Sequence, residues 1–167
     1  MNDSNILHIA EKFNLPILIH SGLDELCDPN NIYMLAKMNP KVRFCVAHNG
    51  DFSSSFIEAF LAEPLRNLFV DSGPLMVMCM KISSNEHMKI GRLNIDYANP
   101  HQVFRDIFKI FPDSLVWSSD EPWTIVGKLD NGMDIYWISY EQEASIYASC
   151  EFKKSLSQNV KRYLFGA

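Results

Sequence analysis

Apolar residues along this chain fall into short unbroken runs that alternate with stretches of helical spacing. Residues 5–13 carry Ile6, Ala10 and Phe13 on one stripe, with Ser4 as N-cap and Asn14 as a stop, so the spacing predicts a helix. Residues 16–20 (Pro-Ile-Leu-Ile-His) are too short for a helix and continuously apolar. They predict a strand buried on both faces, the mark of a parallel sheet. Asp28 and Pro29 then act as cap and first-turn residue for a helix with Ile32, Leu35, Ala36 and Met38 at helical spacing, closed by Pro40.

The same order recurs. Residues 42–48 predict a second strand, Ser55 and Glu58 form a capping box for a helix that Pro64 ends, and residues 68–71 predict a third strand. Strand onsets at 16, 42 and 68 give a regular spacing of 26 residues, room for one strand, one helix and two short loops. The connection over residues 72–98 breaks this rhythm. Rich in methionine (Met76, Met78, Met80, Met88), it reads either as an extra helix or packed excursion, or as a lid over a site. Asn99 and Pro100 cap an amphipathic helix with Val103, Phe104, Ile107, Phe108 and Phe111 on one face, ended by Pro112, and residues 114–119 predict a fourth strand. Residues 129–133 read as a turn. Ser139 and Gln142 offer a capping box for a helix to about residue 154, and Ser157 begins a last helix through Leu164. Strands alternating with helices, with no adjacent hairpin, predict one parallel α/β domain over residues 1–167.

Composition narrows the functional classes. A hydrophobic fraction of 47% and a charged fraction of 21% describe a globular protein rather than a disordered one. Fifteen Lys and Arg against 20 Asp and Glu give a net charge of −5, and no basic block exceeds the pair Lys153 and Lys154. That balance argues against nucleic acid or an anionic membrane and for a small-molecule partner. The longest apolar run, residues 74–80, is far short of the roughly 18 residues of a membrane helix. The first residues lack the basic start of a signal peptide, so the expected compartment is the cytoplasm. Cys27, Cys45, Cys79 and Cys150 show no C-x-x-C spacing and read as reduced structural residues.

Side chains that do chemistry collect at the carboxyl ends of parallel strands, and each predicted strand here ends in one. They are His20 in I-H-S-G, His48 in A-H-N-G, Asp71 in V-D-S-G and Asp120 in S-S-D-E-P-W. Neutral imidazole and carboxylate together suit zinc or a similar divalent ion, which lowers the pKa of bound water and polarises a carbonyl. Either histidine alone would read equally well as a hydrogen-bonded core residue. Asp71 reads more readily as a strand-end carboxylate binding loop amides. Asp120, followed by Glu121 and Pro122, needs a cation or several donors, because an unpaired buried carboxylate is costly. His8, His87 and His101 read as surface residues and Trp117, Trp123 and Trp137 as packing, although Trp123 follows Asp120 closely enough to border a substrate. Arg92 is a candidate for holding a substrate carboxylate bidentately.

Taken in order, L-P-I-L-I-H-S-G, P-K-V-R-F-C-V-A-H-N-G, N-L-F-V-D-S-G, L-V-W-S-S-D-E-P-W and N-V-K-R-Y-L-F-G resemble the second half of the amidohydrolase superfamily. The likeness is to the branch related to aminocarboxymuconate-semialdehyde decarboxylase and the TIM-barrel metal-dependent hydrolases, and it covers nearly the whole chain. It implies that the strands are the fifth to eighth of a (β/α)₈ barrel and that the activity is metal-dependent hydrolysis or non-oxidative decarboxylation of a small carbonyl or carboxylate compound. By the same likeness His20 is a metal ligand, His48 a second ligand or the residue that orients water, and Asp120 a ligand and proton shuttle. Zinc is the implied metal.

Departures from the pattern shape the expectation as much as the match. The family's first-strand His-x-His pair is missing, since histidine occurs only at 8, 20, 48, 87 and 101, and glycine is common in the family where this chain has Asp51 and Ser118. A complete barrel of this type runs to about 250 residues and rarely falls below about 200, so 167 residues correspond to half a barrel with exposed sheet edges. The half is expected to be a fragment, to meet a partner chain that supplies strands one to four, or to pair with a second copy. A rival reading is a non-catalytic, truncated or degenerate barrel half that serves as a scaffold. A third is a flavodoxin-type binding module, against which stands the lack of a glycine-rich phosphate loop.

Overall fold

A computed structural model describes residues 3–120, 138 and 140–166. The turn expected at 129–133, the cap Ser139, and Trp123 and Trp137 lie outside the described residues. Four short strands, β1 (Ile17–Ile19), β2 (Phe44–Val46), β3 (Leu68–Asp71) and β4 (Leu115–Val116), pair in parallel in the order β1-β2-β3-β4. Ile17 lies opposite Phe44, Phe44 opposite Leu68, and Val70 opposite Leu115. The helices are α1 (Asp3–Lys12), α2 (Pro29–Met38), α3 (Ser54–Ala62), α4 (Leu75–Ser84), α5 (Pro100–Ile110), α6 (Tyr140–Ser149) and α7 (Lys153–Phe165). Among the described residues no helix is long and apolar enough to cross a membrane.

Local sequence explains the starts of α2, α3 and α5. The Asp28 carboxylate accepts from the Asn30 amide at 2.8 Å with Pro29 in the first turn, and Asn99 accepts from the Gln102 amide at 3.2 Å ahead of Pro100. At α3 the expected capping box moves by two residues: Ser53 is the cap, accepting from Phe56, while the Ser55 hydroxyl is taken by Ser53 and by the Asn30 side chain. The break between the last two helices also moves, from 155–156 to residues 150–152. Phe152 stacks on Phe108 of α5 with ring centroids 3.8 Å apart, so the chain turns where that ring docks. The long connection proves to be a packed excursion with a helix of its own, α4, whose Leu75, Val77, Cys79 and Ile82 are buried.

The two sheet faces carry different layers. Phe44, Val46, Leu68, Val70 and Leu115 point into one core with side chains of α2 to α6, among them Ile32, Phe56, Phe104 and Ile107. Cys45, Phe69 and Val116 point the other way and are covered by Val160 and Tyr163 of α7. Two expectations fail at the β1 end. Leu18 is 57% exposed, so β1 is not buried on both faces, and of the α1 stripe only Ala10 is buried, Ile6 and Phe13 being 49% and 61% exposed. The physical reason is position: β1 is the edge strand, and nothing among the described residues lies beyond it.

Side-chain amides tie the amino ends of the strands together. Asn159, 3% exposed on α7, donates to the carbonyls of Pro112 and Leu115 at 3.1 and 2.9 Å. Asn159→Ala strands both acceptors beside β4 and is expected to cost about 1–3 kcal/mol in urea denaturation. A loss below about 0.5 kcal/mol would contradict this role. Cys45, Cys79 and Cys150 are buried and Cys27 half-buried, all four as free thiols, and burial pushes the Cys45 and Cys79 thiols up. This matches their reading as structural residues.

Candidate functional site at the carboxyl ends of the strands

His20 follows β1, His48 follows β2, Asp71 ends β3, and Asp120 lies four residues past β4. The sheet carries these side chains to one end because its strands are parallel and adjacent. His20 Nδ1 and His48 Nε2 are 2.9 Å apart, the rings meeting edge to face at 71°. His48 Nδ1 is 2.6 Å from the Gly73 carbonyl and 4.0 Å from Asp120 Oδ2.

These contacts fix a proton pattern for neutral rings. A carbonyl oxygen only accepts, so His48 Nδ1 carries the hydrogen donated to Gly73. His48 Nε2 is then a bare acceptor, and His20 Nδ1 must donate to it. The remaining lone pair of the couple lies on His20 Nε2, on a residue that is itself exposed. Three strand ends therefore bring together the bonded His20–His48 pair and, 4.0 Å from it, the Asp120 carboxylate.

Asp71 sits beneath this chain, 9% exposed. Its Oδ1 accepts from the Gly73 amide at 2.8 Å and the Ser118 hydroxyl at 2.6 Å, the loop-binding part expected of a strand-end carboxylate. Burial pushes the Asp71 carboxyl up despite these bonds and the nearby His48; Asp120 is also pushed up by burial, with His48 and His20 pulling the other way. Gly73 is required by close approach, since a Cβ there would stand 2.5 Å from Ser118 Oγ and 2.7 Å from its carbonyl oxygen.

Backbone strain concentrates at the same place. His48, Asn49, Gly50, Asp51 and Phe52 have φ of 58°, 55°, 60°, 50° and 57°, a left-handed turn in which only one residue is glycine, and Asp120 has φ of 59°. Each non-glycine residue there costs roughly 1–2 kcal/mol, so the turn persists because its surroundings over-determine it. The Asn49 side chain donates to the Ser72 carbonyl at 3.0 Å, Leu93 N–H donates to the Phe52 carbonyl at 2.8 Å, and the Phe52 ring is fully buried against Tyr97. Such strain is characteristic of functional sites.

Arg92 does not face this mouth as a free guanidinium. Its Nη2 and Nε bond Asp51 Oδ2 and Oδ1 at 2.5 and 3.2 Å, and Nη1 donates to the Met88 carbonyl. With its side chain only 10% exposed, the expected bidentate hold on a substrate carboxylate is instead a hold on Asp51. Asp51 and Ser118 are thus both engaged, Asp51 by Arg92 and Ser118 by Asp71. His8 and His87 are exposed as expected, and half-buried His101 bonds the Ser149 hydroxyl at 3.0 Å. Trp117 packs on Tyr147, with ring centroids 5.4 Å apart.

Two groups had no signal in the sequence. The Gly73 carbonyl, which sets the His48 tautomer, is backbone and invisible to residue type. Glu143 lies in the first turn of α6, fully buried, and accepts from the Leu75 and Met76 amides at 2.7 and 3.0 Å, capping α4 just after the Asp71 loop. Burial pushes its carboxyl up to about 7, against the pull of the two amides.

The donor set of two imidazoles and a carboxylate suits zinc chemically, but facing nitrogens of the imidazoles are bonded to each other. Among the described residues no three His, Cys, Asp or Glu side chains are arranged to hold a metal ion. No protein-family model, curated protein or solved structure matches the chain.

Proposed function

We propose that this chain carries the catalytic mouth of an amidohydrolase-type enzyme that hydrolyses, or decarboxylates without oxidation, a small carbonyl or carboxylate compound. The observation that carries the reading is the hydrogen-bonded His20–His48 pair with Asp120 4.0 Å from His48, drawn together from three strand ends, with His48 and Asp120 both in the left-handed region. Strand order supports the (β/α)₈ half. Each crossover steps to the next position, and the connecting helices α2 to α5 pack on one face, the way a barrel wall is built. Among the described residues the order does not reverse, so they hold no counterpart to the crevice of a doubly wound nucleotide-binding sheet.

Within this proposal His20 Nε2 offers the open lone pair at the mouth. Once the His20–His48 hydrogen bond opens, His48 Nε2, its ring held by the Nδ1–H donated to Gly73, accepts from the incoming water between His20 and Asp120. Asp120 holds or moves the proton that reaches the leaving group. Zinc is the cofactor that His20, His48 and Asp120 would take, and when bound it supplies a water that ionises near neutral pH. For zinc to bind, the His20–His48 hydrogen bond must open.

One observation favours a second reading, a non-catalytic scaffold. The sheet face that would line a barrel interior is covered by Val160 and Tyr163, so the chain closes on itself there. Zinc titration by calorimetry, with metal per chain measured on a monodisperse size-exclusion peak, separates the two. The enzyme reading expects near-stoichiometric zinc, and His20→Ala with Asp120→Ala together should weaken it by at least the roughly 100-fold that even an outer-shell loss can cost. Zinc that fails to bind in excess, or binds the double variant equally well, overturns the metal-dependent reading and leaves the scaffold.

A further inference from the structure

At the opposite end of the sheet, before the first residues of β2, β3 and β4, lies a groove of about 1220 Å³. Lys41, Arg43, Arg66, Lys109 and Arg162 line it, with Asp113 the one acidic side chain among its lining residues. In a chain of net charge −5 this is a local reversal of sign.

Hydrogen-bond partners sharpen the point. Lys41 and Lys109 are paired with Glu11 and Asp106, at 2.9 and 2.7 Å. The guanidiniums are not so neutralised. Arg43 bonds only uncharged groups: the carbonyls of Asn14, Tyr163 and Leu164 and the Asn14 side-chain oxygen. Arg162 bonds the Asp113 carbonyl at 3.0 Å and lies over the Phe69 ring. Arg66 is exposed and makes no ion pair among the described residues. Ser114, 7% exposed, lines the same groove.

We propose that this groove is a second ligand site, separate from the strand-end mouth, that takes a phosphate-bearing small molecule. Guanidinium forks match phosphate oxygens, a hydroxyl at the base of the β4 entry adds a neutral donor, and Pro64, Leu65 and Pro112 offer an apolar wall for the rest of the molecule. Arg66, which makes no ion pair among the described residues, and Arg162, with Arg43 beside them holding carbonyls, put positive charge around one concavity that suits a di- or trianion better than a single carboxylate. The site does not depend on the catalytic reading, because none of its residues belongs to the mouth.

The test is titration of sodium pyrophosphate into ¹⁵N-labelled protein at low ionic strength, followed by amide correlation spectra. Saturable shifts are expected at Arg66, Asn67, Ser114 and Arg162, with the mouth unchanged. Arg66→Ala should weaken the apparent affinity about tenfold or more, as loss of a charge-assisted bond does. Ser114→Ala should weaken it several-fold, and Lys81→Ala, outside the groove, should have no effect. Shifts that never saturate, that spread over cations across the surface, or that persist in Arg66→Ala overturn the proposal. Binding of hexaglutamate without binding of pyrophosphate overturns it too, in favour of a protein-docking surface.

Discussion

Arg92→Ala should destabilise the fold by about 3–5 kcal/mol, the cost of breaking a buried ion pair from one side. Asp51, whose side chain is 13% exposed, would be left as a carboxylate without its cation, inside a turn already in the left-handed region. Damage would also reach the backbone, because the segment around Arg92 is stapled to that turn by a bridge to Ser53 and by the Gly91 carbonyl, which accepts from Ser54. The double variant Asp51→Ala with Arg92→Ala removes both charges and should recover part of the loss, which a double-mutant cycle in urea measures directly. A single-variant cost under about 1 kcal/mol would mean the pair is dispensable. It would also return Arg92 to the role of substrate ligand, visible as a raised KM at unchanged stability.

Stability should fall as pH rises from about 4.5 to about 7, and Glu143 should account for much of the slope. Its folded carboxyl titrates near 7 against an ordinary 4.5, because burial outweighs the two amides it accepts from. Between those values the folded chain keeps a proton that the unfolded chain has released. The contribution is therefore complete below the unfolded pKa and is lost as pH climbs through the folded one. Its size is on the order of 3 kcal/mol. Asp71 and Asp120 are shifted in the same direction and add to the trend. Glu143→Gln keeps an acceptor at the start of α4 but cannot titrate, so denaturation midpoints taken from pH 5 to 8 should flatten relative to the parent. Parallel profiles for the two proteins would show that Glu143 does not carry the effect.

Glu143 and Arg92 illustrate what residue type alone could not say. An Arg in a long connection is equally consistent with a substrate anchor and a structural staple, and Asp51 is 41 positions away. Glu143 lies 68 residues from Leu75, and in a helix a glutamate ordinarily signals a solvated face. By contrast, His20, His48, Asp71 and Asp120 were legible because a repeating strand–helix unit puts strand ends in register, and a polar residue after each apolar run marks the end. Their convergence followed from parallel pairing. Which nitrogen of which ring holds the proton did not, since it rests on the Gly73 carbonyl.

The sequence by itself determined the parallel α/β class, four strands and their helices, and the end of the sheet where the polar residues gather. Apolar runs, helical spacing and caps are local, so they survive without knowledge of neighbours. Tertiary structure decided everything that depends on what lies across from a residue. It left Leu18, Ile6 and Phe13 exposed because β1 is an edge, turned the chain at Phe152 because Phe108 was there to stack on, and placed Arg92 on Asp51. It also gathered Arg43, Arg66 and Arg162 around one groove, although they are spread over 120 positions of an acidic chain, because strand entries and the last helix meet there. Burial and pairing are properties of surroundings, and surroundings exist only once the chain has folded.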